Sequence, residues 1–497
     1  ISSNTTWSLA NSPYVVTGHL VVNEGVTLTI EPGVSVQFQS GKMLQVNGSV
    51  IAIGTANNMI TFTSDATSPA MGDWAYIEFT SSSDQTVFNN DGNYVSGPKF
   101  EYCIVEYAGS SASSGHSYVI SDLLYINQCI LRYNDVGGNG GVIDGSRYVD
   151  GSYLKGVFTN NTIHNNPNAV AINYASNATI TGNTIYNNRL GVRPGEGTVT
   201  ISNNVIYNNT GWVHPAAGIW SNIPRSANYT ISDNIIRDNT STGIFLISQS
   251  SGNDIPTVTV TKNIIFNNSG GFIVGREQFG DMGDKYIINV TKNIIADNSG
   301  YGIDVYERNG KLTFQYNTIV NNEKAIDMKD ADTDWSGDKV DLYENNTIIG
   351  KDETTMIHLY QGQPTLNNNN YVKKDATYIM NLETNASEGS YNSIDMENNW
   401  WGSTSSSDID NYIYDWNDDP TKKIVDYDPY LTSLNTDAPI SPPTAVTKVA
   451  SGSNVILAWT ANSESDVAGY KIHHGSFTGY SYTNNVDAGN VTTYTLS

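Results

Sequence analysis

The chain has 497 residues, of which 25 are Lys or Arg and 49 are Asp or Glu, so its net charge is −24. A surface this acidic repels phosphate backbones, and we therefore expect no nucleic-acid partner. The sequence holds no run of about 18 apolar residues, so we also expect no membrane span. Its length exceeds what one hydrophobic core usually fills, which favours several domains or a solenoid that grows along one axis.

Residues 1–65 alternate apolar and polar side chains, as in GVTLTIEPGVSVQF and MLQVNGSVIAIG. Such period-two runs between Gly and Pro turns are typical of short β-strands. We expect this segment to form an N-terminal cap and the first coils of the domain that follows it.

Within residues 66–402 one apolar pair, bracketed by asparagines, recurs many times. It stands as NNTIHNN at residues 160–166 and returns as GNTIYNN, NNVIYNN, DNIIRDN, KNIIFNN, KNIIADN and YNTIVNN. The repeat asparagines are 21 to 30 residues apart, and such variable spacing favours short strands joined by loops over helical repeats of fixed length.

This pattern predicts an all-β fold, a right-handed parallel β-helix with three short strands in each coil. Inward-facing Ile and Val columns would form its core. Asn suits the corners, because its amide can bond to turn backbone and to the Asn one coil away, and because it tolerates the left-handed conformation.

Residues 100–402 resemble the parallel β-helix repeat proteins of the pectin-lyase-like superfamily. The ending NNWWG at 398–402 resembles a secreted group of that superfamily. The resemblance implies a secreted or cell-surface protein whose partner is a polysaccharide or surface glycan. It leaves the activity open, since the superfamily includes lyases, glycosidases, uronan epimerases, adhesins and passive surface proteins.

The chain has two cysteines, Cys103 and Cys129, and each directly precedes an Ile. If they occupy equivalent positions on successive coils, their Cα atoms lie about 4.8 Å apart. That separation falls within the disulfide range of about 4.4–6.8 Å. A disulfide and a stacked pair of buried thiols are both open.

Each repeat also has a second strand, often beginning Gly-Ile, whose outward residues should form columns along one face. The upstream part of this face is largely aromatic and apolar, and we predict a ligand-binding strip for a glycan or a second copy of the chain. Its members are Arg193, Trp212, Trp220, Arg225, Phe245 and Ile273, and Tyr360 is added further along. The alternative is that long loops bury these side chains as a satellite core.

Downstream, the same face gathers polar and ionisable side chains. We predict a catalytic set of Tyr301, Asp304, Tyr306, Asp327, Lys329 and His358. As lateral neighbours, Asp304 and Asp327 can share Ca²⁺ as metal ligands or raise one another's pKa. A Tyr, Lys or His beside them can then remove the proton α to the carboxylate of a uronate.

The stretch YGIDVYE at 301–307 resembles the Tyr-Gly-Phe-Asp-Pro-His site motif of mannuronan C5-epimerases. Tyr301, Gly302 and Asp304 match that motif, Val305 replaces its proline, and Tyr306 stands where the family has histidine. The resemblance implies proton transfer on a uronan at this stretch.

Residues 403–436 are predicted to close the end of the β-helix. Ile409, Ile413 and Trp416 recur at helical spacing and predict a short amphipathic helix there. A Pro-rich linker follows at 437–443.

Residues 444–497 resemble a fibronectin type III module, with Trp459 as its core tryptophan and Tyr470 opening a later strand. The segment is much shorter than the roughly 100 residues of such a sandwich. We expect the module to be partial, completed by more chain or by a strand from a neighbouring copy, which allows self-association.

Two functions follow from these patterns. The one that the sequence favours is a secreted, non-catalytic surface protein that presents the aromatic strip for glycan binding or self-assembly, because folding alone explains the repeat. The alternative is a Ca²⁺-dependent polysaccharide lyase or uronan C5-epimerase that acts on an acidic polysaccharide.

Overall fold

The computed structural model forms two compact units, one built chiefly from Ile1–Thr259 and the other chiefly from Ile287–Ser497, with the residues between divided among them. The residues that it describes are 1–109, 117–137, 140–145, 148–149, 151–211, 216–224, 226–248, 255–275, 286–306, 310–329, 341–351, 355–360, 362–383, 393–462, 467–477 and 482–497.

In the first unit each coil gives one strand to each of three parallel sheets. The first sheet holds Thr5–Trp7, Thr27–Ile30, Ser49–Ile53, Lys99–Glu101, Tyr125–Asn127, Gly156–Thr159, Ala178–Thr181, Thr198–Ser202 and Asn228–Ser232. The second holds Tyr14–Val16, Ser35–Phe38, Ile60–Ser64, Cys103–Glu106, Ile130–Arg132, Thr162–His164, Thr184–Tyr186, Val205–Tyr207 and Ile235–Arg237. The third holds Leu20–Val22, Leu44–Val46, Ile77–Phe79, Tyr118–Ser121, Gly141–Asp144, Val170–Ala175, Leu190–Pro194, Ala216–Ile223 and Thr242–Ser248.

The second unit follows the same three-sheet plan. Its first-sheet strands include Gly310–Gln315 and Leu342–Glu344, while Thr257–Thr261 and Tyr286–Thr291 have residues in both units. Its second sheet holds Ile264–Phe266, Ile294–Ala296, Thr318–Val320, Thr347–Ile349 and Asn370–Val372. Its third sheet holds Gly270–Val274, Tyr301–Val305, Lys324–Met328, Thr355–Leu359, Tyr378–Leu382 and Ile413–Tyr414.

Short antiparallel and terminal elements complete the described chain. Two hairpins pair Val87–Phe88 with Tyr94–Ser96 and Tyr148–Val149 with Ser152–Tyr153, and a parallel pair joins Ile394–Asp395 to Val425–Asp426. A 3-10 turn covers Leu9–Asn11. No helix among the described residues is long and apolar enough to cross a membrane.

The core is a set of in-register apolar columns, as the repeat predicts. In the second sheet of the first unit, Ile163 pairs with Ile185, Ile185 with Ile206, and Ile206 with Ile236, and all four are buried. In Ile264–Phe266 and Ile294–Ala296 the central isoleucine of the apolar pair is buried and the first one is exposed. The prediction of an all-β parallel solenoid is confirmed.

A ladder of buried asparagines holds one corner of the coils. The side-chain Oδ1 of Asn204 accepts hydrogen bonds from the backbone N and from Nδ2 of Asn183, both at 2.9 Å. Its Nδ2 donates to the backbone oxygen of Ile180 and to Oδ1 of Asn234, also at 2.9 Å. The same pattern joins the ladder asparagines of the second unit, Asn263, Asn293, Asn317, Asn346, Asn369 and Asn399.

The left-handed conformation falls one residue before each ladder asparagine. Asn203 has φ 55° and Asp233 has φ 56°, whereas Asn204 and Asn234 are not left-handed. A second ladder in the first unit follows the same rule at the other end of the second-sheet strand, through Asn134, Asn166, Asn188, Asn209, Asn239 and Asn268. The two Asn positions of each bracket therefore have different roles.

Of the two alternatives for Cys103 and Cys129, the structure shows the stacked pair of buried thiols, and their predicted equivalence holds. Ile104 pairs with Ile130, so the two cysteines are lateral neighbours, and both are buried free thiols. The backbone N of Cys103 donates to Cys129 Sγ at 3.3 Å, which uses that sulfur as an acceptor. Burial, reinforced by the hydrogen bond with Cys129, raises the pKa of the Cys103 thiol well above its ordinary value.

The predicted C-terminal helix is shorter than its apolar spacing indicates. It covers only Ser406–Asp410, where Ser405 accepts a side-chain cap bond from the backbone N of Asp408 and Ile409 is buried. Ile413 instead pairs with Met380 at the edge of the third sheet, because sheet pairing satisfies backbone groups that a helix would leave at its end. Trp416 is exposed and lies outside the helix.

Residues 444–497 form antiparallel strands rather than coils. One sheet joins Thr444–Ser451, Asn454–Thr460 and Thr493–Leu496, and the other joins Tyr470–Phe477 and Tyr482–Gly489.

The two neighbouring asparagines 203 and 204 should differ sharply in their tolerance to glycine. Asn204→Gly removes a buried acceptor and donor, and we expect it to lower the free energy of unfolding by about 3 kcal/mol or more. Asn203→Gly keeps the left-handed backbone at an exposed corner and should cost less than about 0.5 kcal/mol. Denaturant midpoints measured by circular dichroism check this, and equal costs would contradict the role of the ladder.

The two thiols should be unreactive in the folded protein. Because both are buried, an aromatic disulfide reagent should titrate no thiol under native conditions and both after denaturation without reductant. Cys103→Ser and Cys129→Ser variants, each with one thiol after denaturation, calibrate the count. No thiol after denaturation would show a disulfide.

Candidate functional site

The ionisable side chains predicted downstream meet on the third sheet of the second unit. Asp304 pairs with Asp327, and Asp327 pairs with His358, in the strands Tyr301–Val305, Lys324–Met328 and Thr355–Leu359. The residues before them, Ile303, Ile326 and Ile357, are buried in the core. Because side chains alternate across a strand, the three polar groups point to the outer face.

A second column follows two residues later along the chain. The backbone N of Tyr306 donates to Val274 O at 2.9 Å, that of Lys329 to Val305 O at 2.8 Å, and that of Tyr360 to Met328 O at 2.8 Å. Tyr306, Lys329 and Tyr360 therefore stand on successive coils, as the alignment predicts.

Lys329 joins the two aspartates. Asp304 is 2% exposed and Asp327 0% exposed, although both lie on the outer face. The Nζ atom of Lys329 is 3.3 Å from Asp304 Oδ1 and 3.0 Å from Asp327 Oδ2, and it also donates to the Tyr306 hydroxyl. The contact between Lys329 Nζ and Asp327 Oδ2 is short enough for an ion pair, but it does not have the geometry of a hydrogen bond.

The ammonium of Lys329 thus takes the charge-compensating position that the sequence assigned to Ca²⁺ between Asp304 and Asp327. Within the described ranges, no group of three or more His, Cys, Asp or Glu side chains is arranged to hold a metal ion. The donor set here is two carboxylates already engaged by a cation, which fits an ammonium better than a Ca²⁺ ion that needs six to eight oxygen ligands.

Asp327 also contacts Lys324 and His358 through its other carboxylate oxygen. Its Oδ1 is 3.4 Å from Lys324 Nζ and 3.1 Å from His358 Nδ1. The other ring nitrogen of His358, Nε2, is 2.8 Å from Glu383 Oε1. His358 therefore bridges a buried carboxylate to a partly exposed one.

Sequence reasoning missed Lys324 and Glu383. Glu383 extends the second column by one coil, because its backbone N donates to Leu359 O at 2.9 Å, and adding the strand Tyr378–Leu382 to the alignment would have found it. Lys324 opens its strand opposite Tyr301, at a position with no distinctive sequence signal.

Tyrosine rings form the outer layer of the site. The Nζ atom of Lys329 lies 3.9 Å from the ring centre of Tyr306 and 4.8 Å from that of Tyr301. The ring of Tyr360 meets that of His358 edge to face at 4.4 Å. The three tyrosines are half-buried, so a ligand would meet these rings and the two lysines before the aspartates beneath them.

The two aspartates have opposite pKa shifts. Burial raises the pKa of Asp304 to about 7, against the opposing effect of the Lys329 ammonium and with help from Asp327. Burial also opposes ionisation of Asp327, but the His358 hydrogen bond and the charges of Lys329 and Lys324 hold its pKa below the ordinary value. Near neutral pH, Asp304 can hold or release a proton while Asp327 stays ionised.

The partners of Asp304 are held in their protonated forms. Burial works against the charge on Lys329, yet its hydrogen bond to Tyr306 and the two carboxylates raise its pKa above the ordinary value. Burial raises the pKa of Tyr306, and Asp304 adds to this while Lys329 opposes it. The cluster therefore combines a fixed cation, a phenol proton donor and a carboxyl group that titrates near neutrality.

Two members of the predicted upstream ligand-binding strip are buried rather than exposed. Trp220 and Phe245 are register partners, as aligned, but Trp220 is 8% exposed and Phe245 is fully buried. Pointing outward from a strand does not ensure contact with solvent, and these two side chains match the satellite-core alternative. Three other members, Arg193, Ile273 and Tyr360, are half-buried. The remaining two, Trp212 and Arg225, lie outside the described residues.

Comparisons with known families agree with the fold. Residues 120–279 and 257–346 match a model described as a right handed beta helix region, and residues 1–115 match a pectate-lyase like beta helix domain. With the parallel sheets, these matches define a right-handed parallel β-helix. No protein with a curated description matches the sequence.

Solved structures give only distant matches. The periplasmic alginate epimerase AlgG is 14% identical, with a TM-score of 0.37 over 77% of this chain and 84% of that one. The pectate lyase Pel9A is 11% identical, with a TM-score of 0.29 over 71% of this chain and 79% of that one. Similarity of this degree carries no argument about activity.

Replacing Asp304 with Asn should stabilise the protein more at high pH than at low pH. A carboxyl group whose pKa is raised on folding loses stability as the pH rises from its unfolded pKa, about 4, towards its folded pKa of about 7. Asn cannot ionise and avoids this loss, which amounts to about 1.4 kcal/mol per pKa unit. Unfolding of wild type and Asp304→Asn should therefore be measured from pH 4 to pH 8.

Asp426→Asn serves as the matched control, because that aspartate is exposed. Its stability relative to wild type should change little over the same range. A flat difference for Asp304→Asn would show that folding does not raise the pKa of Asp304.

Proposed function

We propose that this β-helix protein is an enzyme that acts on an acidic polysaccharide by removing the proton α to a uronate carboxylate. The observation that carries the proposal is the contact of one ammonium, Lys329, with Asp304, Asp327 and the Tyr306 hydroxyl. Burial of Trp220 and Phe245 also removes two aromatic members of the strip on which the non-catalytic role depended.

Removing such a proton requires a cation, since a uronate carboxylate must be neutralised before its α-carbon can carry negative charge. Lys329 and Lys324 supply two ammonium groups in a protein whose net charge is −24. Asp327 holds both of them in place. The two ammonium groups offset the carboxylates around them, so an acidic polymer would be repelled less here than by the strongly acidic surface as a whole.

Asp304 is assigned as the proton acceptor. A general base works best when its pKa lies near the operating pH, and burial gives Asp304 a pKa of about 7. The proton passes from the uronate C5 to the Asp304 carboxylate, and the electron pair moves into the substrate carboxylate beside Lys329. The matching motif residues Tyr301 and Asp304 lie together here, as the resemblance to mannuronan C5-epimerases implies.

Tyr306 is assigned as the proton donor. Because its oxygen accepts from Lys329, its own O–H is free to point at substrate. Delivery of that proton to C5 from the opposite face gives epimerisation. Delivery to the leaving glycosidic oxygen, with a C4–C5 double bond forming, gives β-elimination, so one cluster suits either outcome.

Residues 444–497 are assigned as a partial fibronectin type III-like module with no part in the reaction. Trp459 and Tyr470 meet edge to face at 5.2 Å and line an apolar groove of about 400 Å³ with Leu457 and Ile472. Such a groove suits attachment or self-association outside the cell, where acidic polysaccharides occur.

Turnover of alginate or polygalacturonate should depend on this cluster. We expect Asp304→Asn, Lys329→Gln and Tyr306→Phe each to lower kcat/KM by about 10²–10⁴-fold, the usual share of one acid or base group. Ultraviolet absorbance detects unsaturated uronate ends, and NMR detects a changed epimer ratio. The rate of wild type should rise with pH through about 7, as Asp304 loses its proton.

Trp459→Ala is the control, because that side chain lies in the C-terminal module, and its turnover should equal that of wild type. Absence of both products across a panel of uronans at pH 5 to 9 would refute the proposed reaction. Full activity of Asp304→Asn would instead move the base to another residue.

A further inference from the structure

A guanidinium held between two aromatic rings lies on the first unit, which does not contain the proposed reaction site. The Arg193 Cζ atom is 3.9 Å from the ring centre of Tyr174 and 4.3 Å from that of Trp220. Arg193 pairs with Asn173 on the third sheet and is half-buried. We call Arg193, Tyr174 and Trp220 the Arg193 clamp.

The backbone that places Tyr174 in the clamp is unfavourable. The pairing of Val170–Ala175 with Leu190–Pro194 shifts register between Asn173 and Ala175, and Tyr174 sits at this bulge with φ 48°. A bulky residue in the left-handed region costs free energy, and a bulge turns a side chain away from its regular direction. The ring of Tyr174 is nevertheless 42% exposed, so burial of that ring does not explain the arrangement.

Two rings contact the Arg193 guanidinium, whose five N–H donors all lie in its own plane. None of the ion pairs between described residues involves Arg193, although the Asp144 carboxylate is close enough to interact with its charge. That carboxylate also accepts a hydrogen bond from Asn173 Nδ2 at 3.4 Å. A planar guanidinium fixed in this way matches a carboxylate, which can accept two parallel N–H bonds.

We propose that the Arg193 clamp binds a carboxylate of an acidic polysaccharide, with the exposed Tyr174 ring against the sugar. The identity of this ligand rests on the proposed function, but the binding site does not depend on turnover. The clamp would give the protein a second point of attachment to a polyuronate, separate from the reacting residue.

Calorimetric titration of the full chain with alginate and polygalacturonate, with dextran as the neutral polymer, tests the proposal. Arg193→Gln should weaken polyuronate binding by about tenfold, the effect of losing one charge-assisted hydrogen-bonded pair. Arg193→Lys should weaken it similarly, because Lys keeps the charge but not the planar fork. Tyr174→Gly removes one ring while suiting the positive φ, and should weaken binding without unfolding the coil.

Arg132→Gln is the matched control, since it makes the same change in net charge at an arginine that is paired with Glu106 at 2.8 Å. Its polyuronate affinity should equal that of wild type. If Arg132→Gln and Arg193→Gln weakened polyuronate binding equally, the net charge alone would explain the effect. That result would overturn the clamp.

The remaining outcomes separate the two proposals. Polyuronate turnover with unchanged affinity in Arg193→Gln overturns the clamp and leaves the proposed reaction intact. Binding that depends on Arg193 without any turnover supports the clamp and refutes the reaction. Absence of polyuronate binding by wild type overturns both.

Discussion

In-register stacking of one coil on the next is the constraint on which this structure depends. Each strand bonds to the strand one coil away, so a residue's lateral neighbours are set by its position in the repeat. The ladder asparagines enforce that register, because each one bonds to backbone and side chain of its counterpart on the adjacent coil. A slip by one residue would turn the core Ile columns outward and leave buried corner groups unbonded.

The same stacking brings charged groups together at close range. Asp304, Asp327 and His358 are separated by whole repeats in the sequence but are register neighbours on the third sheet. Two carboxylates in such a position need compensation, and Lys329 supplies it. Burial raises the pKa of Asp304, whereas the His358 hydrogen bond and the charges of Lys329 and Lys324 outweigh burial at Asp327 and lower its pKa. A chemically useful asymmetry thus follows from a regular scaffold.

Different residues at the same position of successive repeats create distinct sites. The third-sheet strand position that holds Asp304 holds Arg193 in an earlier repeat, where a bulge at Tyr174 turns a ring onto the guanidinium. It holds Phe245 in another repeat, where the side chain is fully buried. The backbone of a coil is therefore tolerant of many outward residues, and their surroundings decide what each one does.

The sequence by itself determined the architecture, because fold and register depend on a local pattern that is repeated many times. The spacing of the asparagines predicted the coils, and aligning the strands predicted that Asp304, Asp327 and His358 are neighbours. It also placed Cys103 beside Cys129. These predictions needed only the strand period and the spacing between coils.

Tertiary structure alone decided burial, partners and charge state. Trp220 and Phe245 point outward yet are buried, the thiols of Cys103 and Cys129 are unbonded, and Lys329 lies between the two aspartates. Burial and contacts depend on how the side chains of the outer face pack against one another. Charge state depends on the balance between the loss of solvent and the charges nearby. Neither packing nor charge balance repeats at a fixed spacing in the sequence, so the repeat pattern cannot predict them.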